Sequence, residues 1–247
     1  DLNQRHAEEE RFHDQVVADH ETRGGYFYDW GLSGDAISFA RNKLGPMQGR
    51  LVLDFGCGTG NETLYMAERG ALVLPFDISM EMAKTTLQLA QEHTLGSSVF
   101  VTRMAGEDLG YADDSLDAVF GISVLHHLEM RHVGSEIYRV LKPGGKAVFV
   151  EPLDYNPLLN LFRKLTPQRR SKTERPLIYE QLAEFSRPYR RSSVDEFGLT
   201  TLAAVLFPWE PVFRTIVFLG STIDRRLFTW FPQLRRYCWI AVIEVVK

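Results

Sequence analysis

Residues 51–60 read Leu-Val-Leu-Asp-Phe-Gly-Cys-Gly-Thr-Gly, an apolar run feeding a loop with glycine at alternate positions. Downstream, a second apolar run at 71–76 ends at Asp77. A short continuous apolar run has the character of a strand buried on both faces of a parallel sheet, and such a strand delivers its loop at its carboxyl end. Glycines there let backbone approach a ligand closely. An acid at the tip of the neighbouring strand can accept both hydroxyls of a ribose. The pairing of loop and Asp77 therefore predicts a pocket for a ligand that carries a ribose.

Two classes of cofactor fit a ribose. A dinucleotide site wants Gly-x-Gly-x-x-Gly, with pyrophosphate on the helix N-terminus. Here the spacing is Gly56-x-Gly58-x-Gly60, and Asn61-Glu62 occupy the place of the third glycine. The Glu62 carboxylate would repel a pyrophosphate. Asp54, just before the loop, suits a ligand bearing an ammonium group. S-adenosylmethionine has a ribose, an α-ammonium and no phosphate, so the electrostatics favour it.

Asp54-Phe-Gly-Cys-Gly-Thr-Gly60, Phe76-Asp-Ile-Ser79, Gly106-Glu-Asp-Leu109 and Arg139-Val-Leu-Lys-Pro-Gly-Gly145 resemble, in order and spacing, the motifs of class I S-adenosylmethionine-dependent methyltransferases. The resemblance covers about residues 50–151. It implies an α/β fold, a Rossmann-like, doubly wound sheet of seven strands in the order 3-2-1-4-5-7-6, with the seventh antiparallel. In one respect the chain departs: many relatives carry an acid two positions before the Glu of the third motif, where this chain has Ala105. Adenine recognition would then rest on backbone near Gly106 and on Glu107, with Asp108 beside it.

The resemblance implies that Asp54, Gly56, Cys57 and Gly58 surround the methionine end of the cofactor and that Asp77 takes the ribose. Ile78 and Met82 are candidates for the walls of the adenine slot, or for core. Ser123 ends the fourth strand, where ligands bind in open parallel sheets. His126 and His127 follow it, and either could take a proton from a hydroxyl nucleophile. Leu-His-His-Leu is also common at this position in methyltransferases of differing substrate, which fits a packing or wall role. Methyl transfer by in-line displacement needs little acid–base help, since alignment alone can lower the barrier by about 7–11 kcal/mol.

Composition bounds the alternatives. At 247 residues, 45% hydrophobic and 24% charged, the chain is ordinary for a globular protein. Cys57 and Cys238 lie far apart, and a disulfide at Cys57 would obstruct the loop, so a reduced, cytoplasmic protein is expected. No apolar run approaches a membrane span. The histidines are scattered and His126-His127 are adjacent, so no metal site is expected. The net charge of −4 hides an asymmetry: residues 1–150 hold 13 Lys and Arg against 22 Asp and Glu, and the remainder holds 15 against 10. An anionic or amphiphilic small-molecule acceptor should meet the second half, unless the charge is merely solvated. The acidic balance and the lack of an RNA-binding module argue against nucleic acid.

One domain over 1–247 is expected, with a helical cap at 1–45, a cofactor-binding core at 50–151 and substrate-lobe insertions with the last two strands at 152–247. Helices are predicted near 5–18, 33–43, 60–69, 79–93, 129–141, 157–165, 176–185 and 209–231. Strands are predicted near 50–55, 71–76, 98–102, 116–121, 145–151, 199–206 and 237–246. The cap brings Tyr26 and Tyr28 as aromatic candidates for substrate or cofactor contact, and the basic stretch 163–191 brings Tyr179 and Arg187. The aromatic segment 209–231 could wall an apolar pocket or form a homodimer interface. The reading that follows is a methyltransferase acting on oxygen or nitrogen of a small molecule such as a natural product, sugar or lipid-like acceptor. RNA or peptide methylation, a nicotinamide-dependent oxidoreductase and a non-catalytic cofactor-binding relative are the alternatives.

Overall fold

The computed structural model describes residues 2–18, 31–166 and 175–247. Seven strands form one sheet in the order β3-β2-β1-β4-β5-β7-β6. They are β1 (Leu51–Phe55), β2 (Leu72–Asp77), β3 (Thr102–Arg103), β4 (Leu116–Ile122), β5 (Leu141–Pro152), β6 (Arg191–Phe197) and β7 (Ile240–Val246). The first five are parallel, and β7 runs antiparallel between β5 and β6. Among the described residues the helices are α1 (Leu2–Ala18), α2 (Gly34–Leu44), α3 (Asn61–Ala67), α4 (Met80–Glu92), α5 (Met130–Val140), α6 (Pro157–Leu165), α7 (Tyr179–Ser186) and α8 (Glu210–Trp230).

Successive side chains of a strand point to opposite faces, so the central strands feed two cores. Leu53, Phe55, Val119 and Phe149 pack on one face with Val133 and Ile137 of α5 and Phe185 of α7. Val52, Phe120 and Val148 pack on the other with Ala36 and Ala40 of α2 and Met66 of α3. Because β1 and β4 are adjacent and parallel, their carboxyl ends release the glycine loop and Ser123 side by side.

The sixth strand lies elsewhere than expected. Residues 199–206 do not form a strand; Thr201–Leu206 is a 3-10 turn, and the strand is the polar Arg191–Phe197. A strand at the sheet margin needs few apolar residues, and its charges discourage further pairing. The apolar 3-10 turn instead covers α8: a Cβ on Gly220 would sit 2.9 Å from the Thr201 amide nitrogen, so only glycine permits this approach. Asp224 of α8, buried, accepts from the amides of Leu199 and Thr200 at 3.0 and 2.9 Å and fixes the same contact. β7 begins at Ile240, three residues later than its predicted start.

Candidate active site

A cavity of about 420 Å³ opens at the carboxyl ends of β1, β2 and β4. Gly56, Gly58, Asp77, Ile78, Met82, Gly106, Glu107, Ser123 and His127 line it, as do Phe55 and Leu128. Gly56 has φ of +72°, and a Cβ there would meet the Val124 side chain at 2.7 Å, so the loop can pass under the 123–127 turn only with glycine. Ser123 also adopts a left-handed φ of +54° without being glycine. Its amide donates to the Val150 carbonyl at 2.8 Å, which holds the strained residue at the cavity wall.

Asp77 is buried, and its two carboxylate oxygens accept from the amides of Gly58 (3.0 Å) and Ser79 (2.9 Å). These bonds tie the glycine loop to the tip of β2. Burial pushes the Asp77 carboxyl upward, against the pull of those amides. Asp54 lies behind the loop rather than on the cavity wall. It is buried, accepts from the Thr63 hydroxyl, and is pushed up to about 7, first by burial and then by the charges of Glu62 and Asp77. Cys57 is buried, and its thiol is raised well above the usual range by burial and the same two aspartates, so it stays protonated. The Glu62 carboxylate is gripped by Arg41 at 2.9 and 2.7 Å.

One group of lining residues was not anticipated. Arg5, His6, Glu9 and His13 of α1 border the cavity. Arg5 and His6 bind the two oxygens of Glu107 at 2.6 and 3.0 Å, and the Ser79 hydroxyl donates to Asp14. Glu9 sits 3.1 Å from Nδ1 of His127 and 3.6 Å from Nε2 of His13. The donor atoms of Glu9, His13 and His127 all lie within 4.8 Å of one another, a set able to hold a metal ion. The Glu9–His13 spacing of one helical turn aligns two of these donors along α1, and the fold supplies the third.

The two adjacent histidines part company. The His127 ring lines the cavity, whereas His126 faces away and donates from Nδ1 to Glu151 at 2.7 Å. Asp108 does not line the cavity either. The remaining substrate candidates lie apart from it. Tyr179 donates its hydroxyl to Glu196 at 3.0 Å and stacks on Tyr155, and burial beside that carboxylate raises it. Arg187 is exposed at the end of α7. Tyr26 and Tyr28 lie outside the described residues. Among the described residues no helix is long and apolar enough to cross a membrane.

A buried acid at the tip of β2, a glycine loop beneath a strained turn and an antiparallel seventh strand together define a nucleoside-binding α/β protein of the methyltransferase type. The comparisons agree. The family described as Methyltransferase domain matches residues 53–149. A ubiquinone biosynthesis O-methyltransferase of Pseudomonas fluorescens is 31% identical over 166 residues, covering 62% of this chain and 69% of that one. Its namesake in Alkalilimnicola ehrlichii is 35% identical over 130 residues, 51% of each chain, so this chain spans about half of that relative's length. Among solved structures, a Haemonchus contortus phosphoethanolamine N-methyltransferase 2 in complex with S-adenosyl-L-methionine shares the fold with a TM-score of 0.65 at 20% identity, over 96% of this chain and 60% of that one. The chain belongs to the class I S-adenosylmethionine-dependent methyltransferases.

Proposed function

We propose that residues 1–247 act as one methyltransferase domain that transfers the methyl group of S-adenosylmethionine to an oxygen, or alternatively a nitrogen, of a small molecule. The observation that carries this reading is the cavity itself: acids suited to a cationic, ribose-bearing ligand and a carboxylate–imidazole pair line the same space. Asp77 offers charged acceptors to the ribose, Glu107 and the backbone at Gly106 border the adenine slot with Ile78 and Met82, and Asp54 supports the loop that would receive the ammonium. The bound sulfonium supplies an activated methyl group. A hydroxyl acceptor attacking that carbon must lose its proton, and the imidazole of His127, whose Nδ1 lies 3.1 Å from Glu9, would receive it. The names of the curated relatives favour an oxygen acceptor, and the two free, buried cysteines suit a reducing cytoplasm.

Calorimetric titration with S-adenosylhomocysteine, with NADH in parallel, tests the cofactor half of this reading. Binding of the first alone is expected; binding of NADH alone would return the chain to the oxidoreductases. Incubation with radiolabelled S-adenosylmethionine and a panel of phenols, catechols and amines then tests the acceptor. Cofactor binding without transfer to any of them would favour a non-catalytic relative.

A further inference from the structure

α6 carries Leu158, Leu161, Phe162 and Leu165, an i, i+3, i+4, i+7 stripe that would ordinarily face a core. None of its residues is buried: Leu158 is 75% and Leu165 71% exposed. The helix is nonetheless firmly built. Asn156 caps it through the amides of Leu158 and Leu159 at 3.0 and 3.2 Å, and donates from its own amide to the Tyr237 carbonyl at 2.8 Å. That last bond brings α6 beside the turn Pro232–Tyr237, which follows the exposed Trp230 and Phe231 at the end of α8; Trp230 is 79% exposed. Exposed Lys164, Arg225, Arg226 and Arg236 accompany these apolar side chains.

The position of this face is set by the sheet. Pro152 at the carboxyl end of β5 pairs with Ile240 at the start of β7. The chain leaving β5 toward α6, and the chain entering β7 from the 232–237 turn, therefore emerge at the edge where Gly56 and Ser123 line the cavity. Resting on the reading above, we propose that α6 and the α8 terminus form a docking surface for an anionic lipid bilayer, from which an amphiphilic acceptor reaches the cavity. Aliphatic and aromatic side chains flanked by Lys and Arg are the composition of an interfacial helix, which binds by apolar insertion together with attraction to anionic headgroups. A second copy of the chain is a poorer occupant, because a two-fold contact would set the same cations against each other.

Flotation of the full chain with vesicles tests this. Binding is expected to vesicles of equal parts phosphatidylcholine and phosphatidylglycerol, to weaken in high salt, and to be much lower on phosphatidylcholine alone. The double substitution Leu161→Glu with Phe162→Glu should lower the bound fraction about tenfold or more, with S-adenosylhomocysteine affinity unchanged because neither residue lines the cavity. Lys164→Glu with Arg226→Glu should weaken binding only to the anionic vesicles. Wild-type protein that ignores anionic vesicles would overturn the proposal. So would vesicle binding indifferent to all four changes, or self-association on a sizing column that Leu161→Glu/Phe162→Glu abolishes while vesicles are ignored. Loss of the methyltransferase reading would show separately, as failure to bind S-adenosylhomocysteine in solution.

Discussion

Glu151 holds His126 in place: the two side chains meet at 2.7 Å, and both are buried. The other Glu151 oxygen accepts from the amides of Val124 and Leu125 at 2.8 and 2.7 Å, so one carboxylate at the end of β5 organises the whole turn above the cavity. Replacing it by alanine would strand two amides and an imidazole. Glu151→Ala is expected to destabilise the protein by roughly 3–5 kcal/mol. Glu151→Gln, which keeps one carbonyl acceptor for the amides, should cost less. Denaturant unfolding followed by tryptophan fluorescence measures both, and equal stability of the two variants would deny Glu151 this role.

Asp77 bridges loop and strand, so its loss acts twice: it removes the acceptor for a ribose and releases Gly58 and Ser79. Asp77→Ala is expected to weaken S-adenosylhomocysteine binding about 10- to 100-fold. Asp77→Asn keeps one carbonyl oxygen but turns an amide group toward one of the two backbone donors, and should fall between. Calorimetry gives the affinities; an unchanged value for alanine would remove Asp77 from the site.

Gly56→Ala places a methyl group against Val124 and forces a side chain into a left-handed φ. Relief requires the 123–127 turn to lift away from the loop. The expected result is loss of cofactor binding out of proportion to the loss of stability, since the loop is peripheral to both cores. Comparing the S-adenosylhomocysteine titration with the unfolding midpoint separates the two effects.

Asp54 makes cofactor binding pH-dependent. In the unfolded chain its carboxyl ionises near 3.8, and in the folded protein near 7. Between those values the folded state holds the extra proton, so this group's contribution to stability declines as pH rises through the window. Cofactor affinity runs the other way, because a ligand ammonium favours the ionised carboxylate. Binding is expected to be about tenfold weaker at pH 6 than on the plateau above pH 8. Asp77, raised in the same sense, adds to the slope. Asp54→Asn should bind more weakly at high pH and with a flatter profile, and proton release measured in buffers of different ionisation enthalpy should shrink accordingly.

The fold and the loop side of the site were legible because each rests on local signals. Buried parallel strands leave unbroken apolar runs, and the loop and Asp77 stand at fixed places after two of them. α5 was legible for the same reason, since Met130, Val133, Ile137 and Val140 all fall on one buried face. β6 was not, because a marginal strand of Arg, Ser and Asp lacks the pattern that marks an interior one, while the apolar 199–206 segment satisfied a helix instead of the sheet. The contribution of α1 was hidden by distance: Arg5 meets Glu107 only because the fold returns the helix across the mouth of β2. The same return decides between two adjacent histidines, which sequence alone treats as equivalent.

That distinction can be tested. His127 borders the cavity with Glu9 at its Nδ1, and His126 is spent on Glu151. For a hydroxyl acceptor, His127→Ala is expected to lower kcat by about 10²- to 10⁴-fold, with S-adenosylhomocysteine affinity little changed. Glu9→Gln should lower kcat less, because it loosens the ring without removing the proton acceptor. His126→Ala should act mainly on stability. The discriminating comparison uses a neutral amine acceptor, which attacks without first losing a proton: if His127 serves as the base, His127→Ala should largely spare that substrate. An equal loss on hydroxyl and amine acceptors would instead make His127 a wall of the cofactor cavity, with proton removal left to water.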